Sequence, residues 1–479
     1  MTACFEDTLV SDNWVAHEFR HLDLGDQRLA KRLGTIVEDF ARTPDALIPK
    51  ACGSWAKAKA AYRFFDNRRV AAAAIMGSHY QATAERIGQY QVVLLANDTT
   101  SLNYSSHPQT KGRGTIGSEH DLGIMVHDTM AFTPAGVALG LVDVQTWTRP
   151  PDEYGKRIRC KQLPIEQKES MNWLNSFKAA QQLQQAVAQT TLVGISDCES
   201  DVFALFELAM LNETGPELLI RATHNRGVDH PKKYLWDFMR SQKIIGDSAG
   251  ESGSYIIEVP RKGNQPARQT ELTIRFAEVP LKSPARRSKK KARVIRVWAI
   301  LAEEENPPPD VEPICWLLLT TLPVTTLKDA IEKIRWYMVR WQIELFHKVL
   351  KSGCRVEDRQ LETVEQLIRC LMVDAIIAWR ILLLTKLGRE VPDLPCTIVF
   401  DEYEWKALYY FVNKTQQLPD QAPTLQEAIR MVAKLGGFLG RKGDGQPGSI
   451  TFWRGLIRLH DIVAAWLILP TLHDSPGCG

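Results

Sequence analysis

Nine cysteines in a chain of 479 residues form no Cys-x-x-Cys pair and no Cys/His cluster at zinc spacing, which argues against a structural zinc site or a disulfide framework. No apolar signal segment opens the chain, so the thiols are expected to be reduced in a cytoplasmic protein. Long uncharged apolar runs are also missing. The best candidate, Leu371 to Leu384, is interrupted by Asp374 and Arg380 and reads as a buried helix, so no membrane contact is expected. Net charge is scarce too: +3 with a pI near 8.3, so any contact with a polyanion must come from local patches. What is present, 44% hydrophobic and 24% charged residues, suffices for two or three globular domains.

The most informative stretch runs from Tyr337 to Lys351. Its polar residues Tyr337, Arg340, Glu344, Lys348 and Lys351 recur every three or four positions, which on one α-helix places them on a single stripe. A carboxylate flanked by cations and a phenol suits a metal ion beside a phosphodiester. By itself the stripe also fits a solvated face with staggered ion pairs.

Two further acids weigh against that plainer reading. Gln91 to Asp98 and Thr191 to Asp197 are short apolar runs ending in an acid, the pattern of buried strands in a mostly parallel sheet with Asp98 and Asp197 at the carboxyl ends. In open α/β sheets ligands gather at those ends, so the two aspartates and Glu344 can converge although far apart in sequence. Carboxylates suit hard cations such as Mg2+, and two such ions can activate an attacking oxygen and stabilise a leaving one. Glu199 and Asp201 lie close by, but Asp197 is preferred because it directly follows the apolar run. Cys198 has no base near it in sequence and reads as filler, and His127, in an apolar strand, as a satisfied core histidine.

In these residues the chain resembles the bacterial insertion-sequence DDE transposases, particularly the Tn-five-like group with its Tyr-x2-Arg-x3-Glu-x6-Lys helix, met here by Tyr337, Arg340, Glu344 and Lys351. Further matches are Ala96-Asn-Asp98-Thr-Thr-Ser-Leu, Ser196-Asp197-Cys-Glu-Ser-Asp201, Lys168-Glu-Ser-Met-Asn-Trp173, Trp316-Leu-Leu-Leu-Thr320, Lys351-Ser-Gly-Cys and Leu435-Gly-Gly-Phe438, so the likeness spans nearly the whole chain. It implies cut-and-paste transposition by a homodimer acting on inverted-repeat transposon ends and target DNA. The implied catalytic residues and metal ligands are Asp98, Asp197 and Glu344, holding two Mg2+ ions that Mn2+ can replace. A base-stacking role falls on Trp316 during hairpin formation. Phosphate contacts fall on Tyr337, Arg340, Lys348, Lys351 and Arg221, and end-DNA contacts on Arg28, Arg32 and Arg63.

The resemblance also implies an α/β fold: an RNase H-like catalytic core with an inserted β-rich subdomain, flanked by helical N- and C-terminal domains. Residues 1–70 read as helical, with Arg28, Lys31 and Arg32 close to one face, suited either to plain solvation or to DNA phosphates. Residues 71–370 alternate strand and helix patterns, and the distance from Asp197 to Glu344 calls for an insertion, about 217–322, with strands near 253–259, 271–276 and 294–301. The basic loop Arg286 to Arg293 is a solvated tip or a phosphate clamp, the clamp being favoured. Residues 371–479 return to a helical pattern, by resemblance the dimerisation domain. Two competing functions share these features: a structure-selective metal-dependent nuclease that never joins ends, and a catalytically silent DNA-binding or inhibitory relative.

Overall fold

The computed structural model describes residues 14–150, 165–211, 214–244, 253–259, 265–284, 293–415 and 417–473. Helices α1 (Trp14–Glu18), α2 (Gln27–Arg42), α3 (Ile48–Cys52), α4 (Trp55–Asp66) and α5 (Ala72–Ile87) precede strands β1 (Val92–Asn103), β2 (Gly114–Thr115), β3 (Leu122–Phe132) and β4 (Ala138–Trp147). Then come α6 (Met171–Ala186), β5 (Thr191–Ser196), α7 (Phe203–Met210), β6 (Glu217–Arg221), α8 (Leu235–Arg240), β7 (Ser254–Val259), β8 (Arg268–Lys282), β9 (Val294–Glu304) and β10 (Cys315–Thr320). The chain finishes with α9 (Leu327–Val339), α10 (Trp341–Lys348), α11 (Val364–Glu390), α12 (Glu402–Asn413), α13 (Leu425–Leu435) and α14 (Ser449–His473). Local chemistry sets these helix starts. Thr326/Asp329, Thr363/Gln366, Asp401/Glu404 and Thr424/Glu427 form reciprocal capping boxes that satisfy amides otherwise left without partners.

The chain divides into two compact units. One comprises Met1–Tyr90, Thr99–Arg157 and Gln342–Gly479; the other comprises Gln91–Asp98 and Ile158–Trp341. In the first, α2 and α4 bury Leu33, Ile36, Val37 and Phe40 against Ala61, Phe64 and Phe65, with the Phe40 and Phe65 rings 6.2 Å apart. Helix α11 is buried along most of its length, and its Asp374 accepts a two-pronged pair from Arg359 at 3.0 and 2.7 Å. No helix among the described residues is long and apolar enough to cross a membrane. Helices α13 and α14 approach so closely that a Cβ on Gly455 would lie 1.8 Å from the Val432 carbonyl oxygen.

In the second unit β1, β5 and β6 run parallel, followed by β10, β9, β8 and β7 in antiparallel order. The sheet is therefore mixed, not mostly parallel. The expectation failed because continuous apolarity reports burial on both faces, not strand direction: β3 is buried from Gly123 to Phe132 yet pairs antiparallel with β4. Strands do form where the insertion was expected. The basic loop lies outside the described residues apart from Arg293, whose side chain pairs with Glu207 at 2.6 Å.

The helix expected from Tyr337 to Lys351 is not continuous. Helix α9 ends at Val339, α10 restarts at Trp341, and a π-helical turn spans Val349–Gly353. A side-chain pattern gives the spacing of a stripe but carries no signal for a break in the i to i−4 ladder.

Candidate active site

Within the second unit the sheet itself aligns three of the expected residues. The parallel pairing of β1 with β5 runs from Val92 opposite Thr191 to Ala96 opposite Ile195. Two more residues along each strand bring Asp98 level with Asp197. Strand β5 pairs with β6 up to Ser196 opposite Ile220, so the next step sets Asp197 level with Arg221. Side chains alternate across a sheet, so by count Asp98 and Arg221 fall at matching places in the register, while Asp197 lies just past the end of β5. Asp197 stands where expected, directly after β5. Asp98 does not end its strand: it is half-buried inside β1, which continues to Asn103, and what ends nearby is the pairing with β5.

Asp197 caps the 3-10 turn Cys198–Ser200, its side chain accepting the Glu199 amide at 2.9 Å. Glu199 is exposed, and its pKa is raised by partial burial and by the neighbouring charges of Asp197 and Glu169. Asp201 has a different task. Burial alone would raise its pKa, but the Arg226 guanidinium and the amides of His224 and Thr223, each 2.9 Å from Oδ2, hold it below the usual carboxylate range. It anchors the chain after β6 and leaves Asp197 as the acid facing the row. The Cys198 thiol is pushed up, chiefly by burial, which disfavours the thiolate a nucleophile needs.

An aromatic pair stands in the same unit. Tyr337 on α9 is buried, and its ring meets half-buried Trp316 edge to face at 5.6 Å. The Arg221 side chain hydrogen-bonds Tyr337 and donates to the Cys315 carbonyl oxygen at 3.4 Å. Burial is the main cause that raises the Tyr337 pKa; Arg340 and Arg221 oppose it, and Asp197 reinforces it. The phenol therefore stays protonated, its oxygen accepting from the Arg221 guanidinium. Asp98, Asp197, Arg221, Trp316, Tyr337 and Arg340 all belong to this unit.

Glu344, Lys348 and Lys351 belong to the first unit, with Arg28, Arg32 and Arg63. Helix α10 buries Ile343, Phe346 and His347, which leaves Glu344 half-buried and Lys348 exposed on the other flank; Lys351 sits in the π-helical turn. Arg28 and Arg32 are exposed one turn apart on α2, and Arg63 is exposed on α4. Sequence reasoning passed over Asp128 and His347. The His347 ring lies 3.1 Å from both Asp128 carboxylate oxygens and so fixes α10 against β3. The signals were an acid inside an apolar strand and, far along the chain, a histidine three residues after Glu344. His127 is a core residue as expected, its Nδ1 2.8 Å from the Thr99 hydroxyl, with burial lowering its pKa to about 4.

Among the described residues no three His, Cys, Asp or Glu side chains are grouped closely enough to hold a metal ion by themselves. Asp197 and Glu169 both help Glu199 retain its proton, so this end of β5 gathers acid side chains of the type that suits a hard divalent cation.

Three family models match the chain: "Transposase DNA-binding" over residues 11–70, "Transposase DDE domain" over 212–379 and "Transposase Tn5 dimerisation domain" over 376–466. A solved piggyBac transposase synaptic complex with hairpin DNA, determined by cryo-EM, aligns over 100% of this chain and 86% of that one, at 8% identity and a TM-score of 0.36, a likeness too slight to carry an argument.

Proposed function

We propose, from the premise that the chain belongs to the Tn5-like DDE transposases, that it cuts a transposon from DNA and joins it to a target by successive phosphoryl transfers. The observation that carries this reading is the parallel register of β1 with β5, from Val92 opposite Thr191 to Ala96 opposite Ile195, which stops two residues short of Asp98 and Asp197. In the proposed assignment residues 1–70 bind transposon ends, residues 71–370 form an RNase H-like catalytic core with an insertion at about 217–322, and residues 371–479 pair two subunits.

Asp98, Asp197 and Glu344 would hold two Mg2+ ions, replaceable by Mn2+. When bound, such ions lower the pKa of an attacking hydroxyl and neutralise charge on the leaving oxygen. The protein's own part is positioning. Arg221, hydrogen-bonded to Tyr337, presents a cation beside the acids for a non-bridging phosphate oxygen. Arg340, Lys348 and Lys351 extend that charge along the strand being cut. Trp316, with one face against Tyr337, offers an aromatic surface to a base drawn out of the helix; stacking of that kind offsets part of an unstacking cost of a few kcal/mol.

The reaction runs in four displacements. Water attacks one strand and frees a 3'-hydroxyl, that hydroxyl attacks the opposite strand to close a hairpin, a second water reopens it, and the hydroxyl joins target DNA. The test uses DNA carrying the element's own terminal repeats. Asp98→Ala, Asp197→Ala and Glu344→Ala are expected to bind ends as the parent does while cleavage falls by roughly a thousandfold or more. Wild-type cleavage by any of the three removes that residue from the site, and cleavage by the parent without joined products would make the protein a nuclease.

A further inference from the structure

Helix α10 is eight residues long, and the backbone ladder is interrupted on both sides of it: α9 stops at Val339 before it, and the π-helical turn Val349–Gly353 follows. Two turns of helix do not hold a direction by themselves, so side-chain contacts decide where α10 points. Within the first unit two contacts do so. At its start Gln342 lies against the turn between β3 and β4, where a Cβ on Gly136 would come 3.8 Å from Gln342 Cγ. Near its end the His347 ring stands 3.1 Å from both carboxylate oxygens of Asp128 on β3. Glu344 sits between them, three residues before His347 and so beside it on the helix surface.

Asp128 is costly where it is. Only 1% of it is exposed, on a strand buried from Gly123 to Phe132, and His347 is 8% exposed. A carboxylate withdrawn from water needs donors, and an apolar pair would fill the same space without that demand. What the polar pair adds is direction. A ring nitrogen donates in the plane of the imidazole, so the bond fixes the ring's rotation and with it the face that α10 turns to the sheet. The neighbouring strand is adjusted at the same place. Thr129 pairs with Asp143 and Met130 with Leu141, so β4 carries Val142 as an extra residue just past Asp128. Bulges of this kind re-aim the side chains around them.

We infer that Asp128 and His347 are positioning residues for Glu344, fixing the direction in which α10 presents its carboxylate to a divalent cation. This role rests on the proposed assignment of Glu344 as a metal ligand, and Asp128 and His347 act only through it.

The test is Mn2+ binding, followed by electron paramagnetic resonance, to the full chain in complex with terminal-repeat DNA already cut at the transposon end. Cleavage of uncut repeats is then measured against Mg2+ concentration. His347→Gln keeps an amide nitrogen near the place of Nε2, whereas the amide of His347→Asn falls short of Asp128. His347→Asn should weaken Mn2+ binding by about tenfold and raise the Mg2+ concentration for half-maximal cleavage to match, with affinity for the repeats unchanged. His347→Gln should recover most of that loss. A pair that serves stability alone would lower the melting temperature of both variants and leave the metal requirement where it was. That result, or equal losses in His347→Gln and His347→Asn, overturns the inference. Should His347→Asn not fold, Asp128→Val is read in its place by the same criteria. Glu344→Ala distinguishes this failure from a failure of the assignment beneath it. Parent-like Mn2+ binding in Glu344→Ala removes Glu344 from the site; parent-like binding in His347→Asn alone leaves Glu344 in place and ends the positioning role.

Discussion

At the scale of single residues, position in the sheet separates chemistry from scaffolding. Asp197 and Asp201 are four residues apart and share a residue type, yet one caps the turn after β5 while the other is enclosed by Arg226 and two amides. Asp201→Asn should therefore act on stability, costing about 2 kcal/mol or more in a urea titration, because it leaves a buried guanidinium unpaired. Trp316→Ala should slow hairpin closure more than first-strand nicking on gels that resolve both products; equal slowing of both would take the base-stacking role away from it. His127 adds a pH signature. Its pKa is lowered to about 4 in the folded chain against about 6.5 for an exposed histidine, so the unfolded chain binds the proton first. Its contribution is complete above about pH 6.5 and lost as the pH falls toward 4, the loss reaching about 2 kcal/mol at pH 5. His127→Asn should flatten that slope in denaturant midpoints measured between these values. The local frames of the three proposed acids, an apolar run or a helical stripe, were legible in the sequence. The partnership of His347 with Asp128 was not, since it joins residues 219 positions apart.

At the scale of elements, helix starts carry a local mark that interruptions lack. A Thr or Asp followed three residues later by Glu, Gln or Asp marks a capping box in sequence, and four helices begin that way. The break at Arg340 and the π-helical turn at Val349–Gly353 leave no such mark, since the polar spacing survives both. The antiparallel direction of β3 and β4 was equally hidden, because burial on both faces erases the alternation that would have shown it. Close packing of elements is a further feature that composition does not announce. Gly455→Ala would drive a methyl into the Val432 backbone, so a loss of about 3 kcal/mol or more is expected, measured as a lowered melting temperature. A melting temperature within a degree of the parent would show that α13 and α14 can separate without penalty.

At the scale of the whole molecule, the chain enters one unit through a single short segment, Gln91–Asp98, long before it supplies the rest at Ile158–Trp341. The two units are thus interleaved in sequence, which the notion of consecutive domains does not capture. A fragment consisting of Ile158–Trp341 lacks the strand that pairs with Thr191–Ile195. It should expose that apolar edge and aggregate. A monomeric fragment with a cooperative melt, judged by size-exclusion chromatography and circular dichroism, would contradict this.

The ladder between β1 and β5 also constrains descent. Strand neighbours alternate sides with each residue, so removing or adding one amino acid between Val92 and Asp98 would turn the aspartate to the back of the sheet, away from Asp197. On the proposed role of Asp98, a one-residue insertion or deletion within this six-step interval should abolish cleavage, a stricter demand than any placed on an exposed connection.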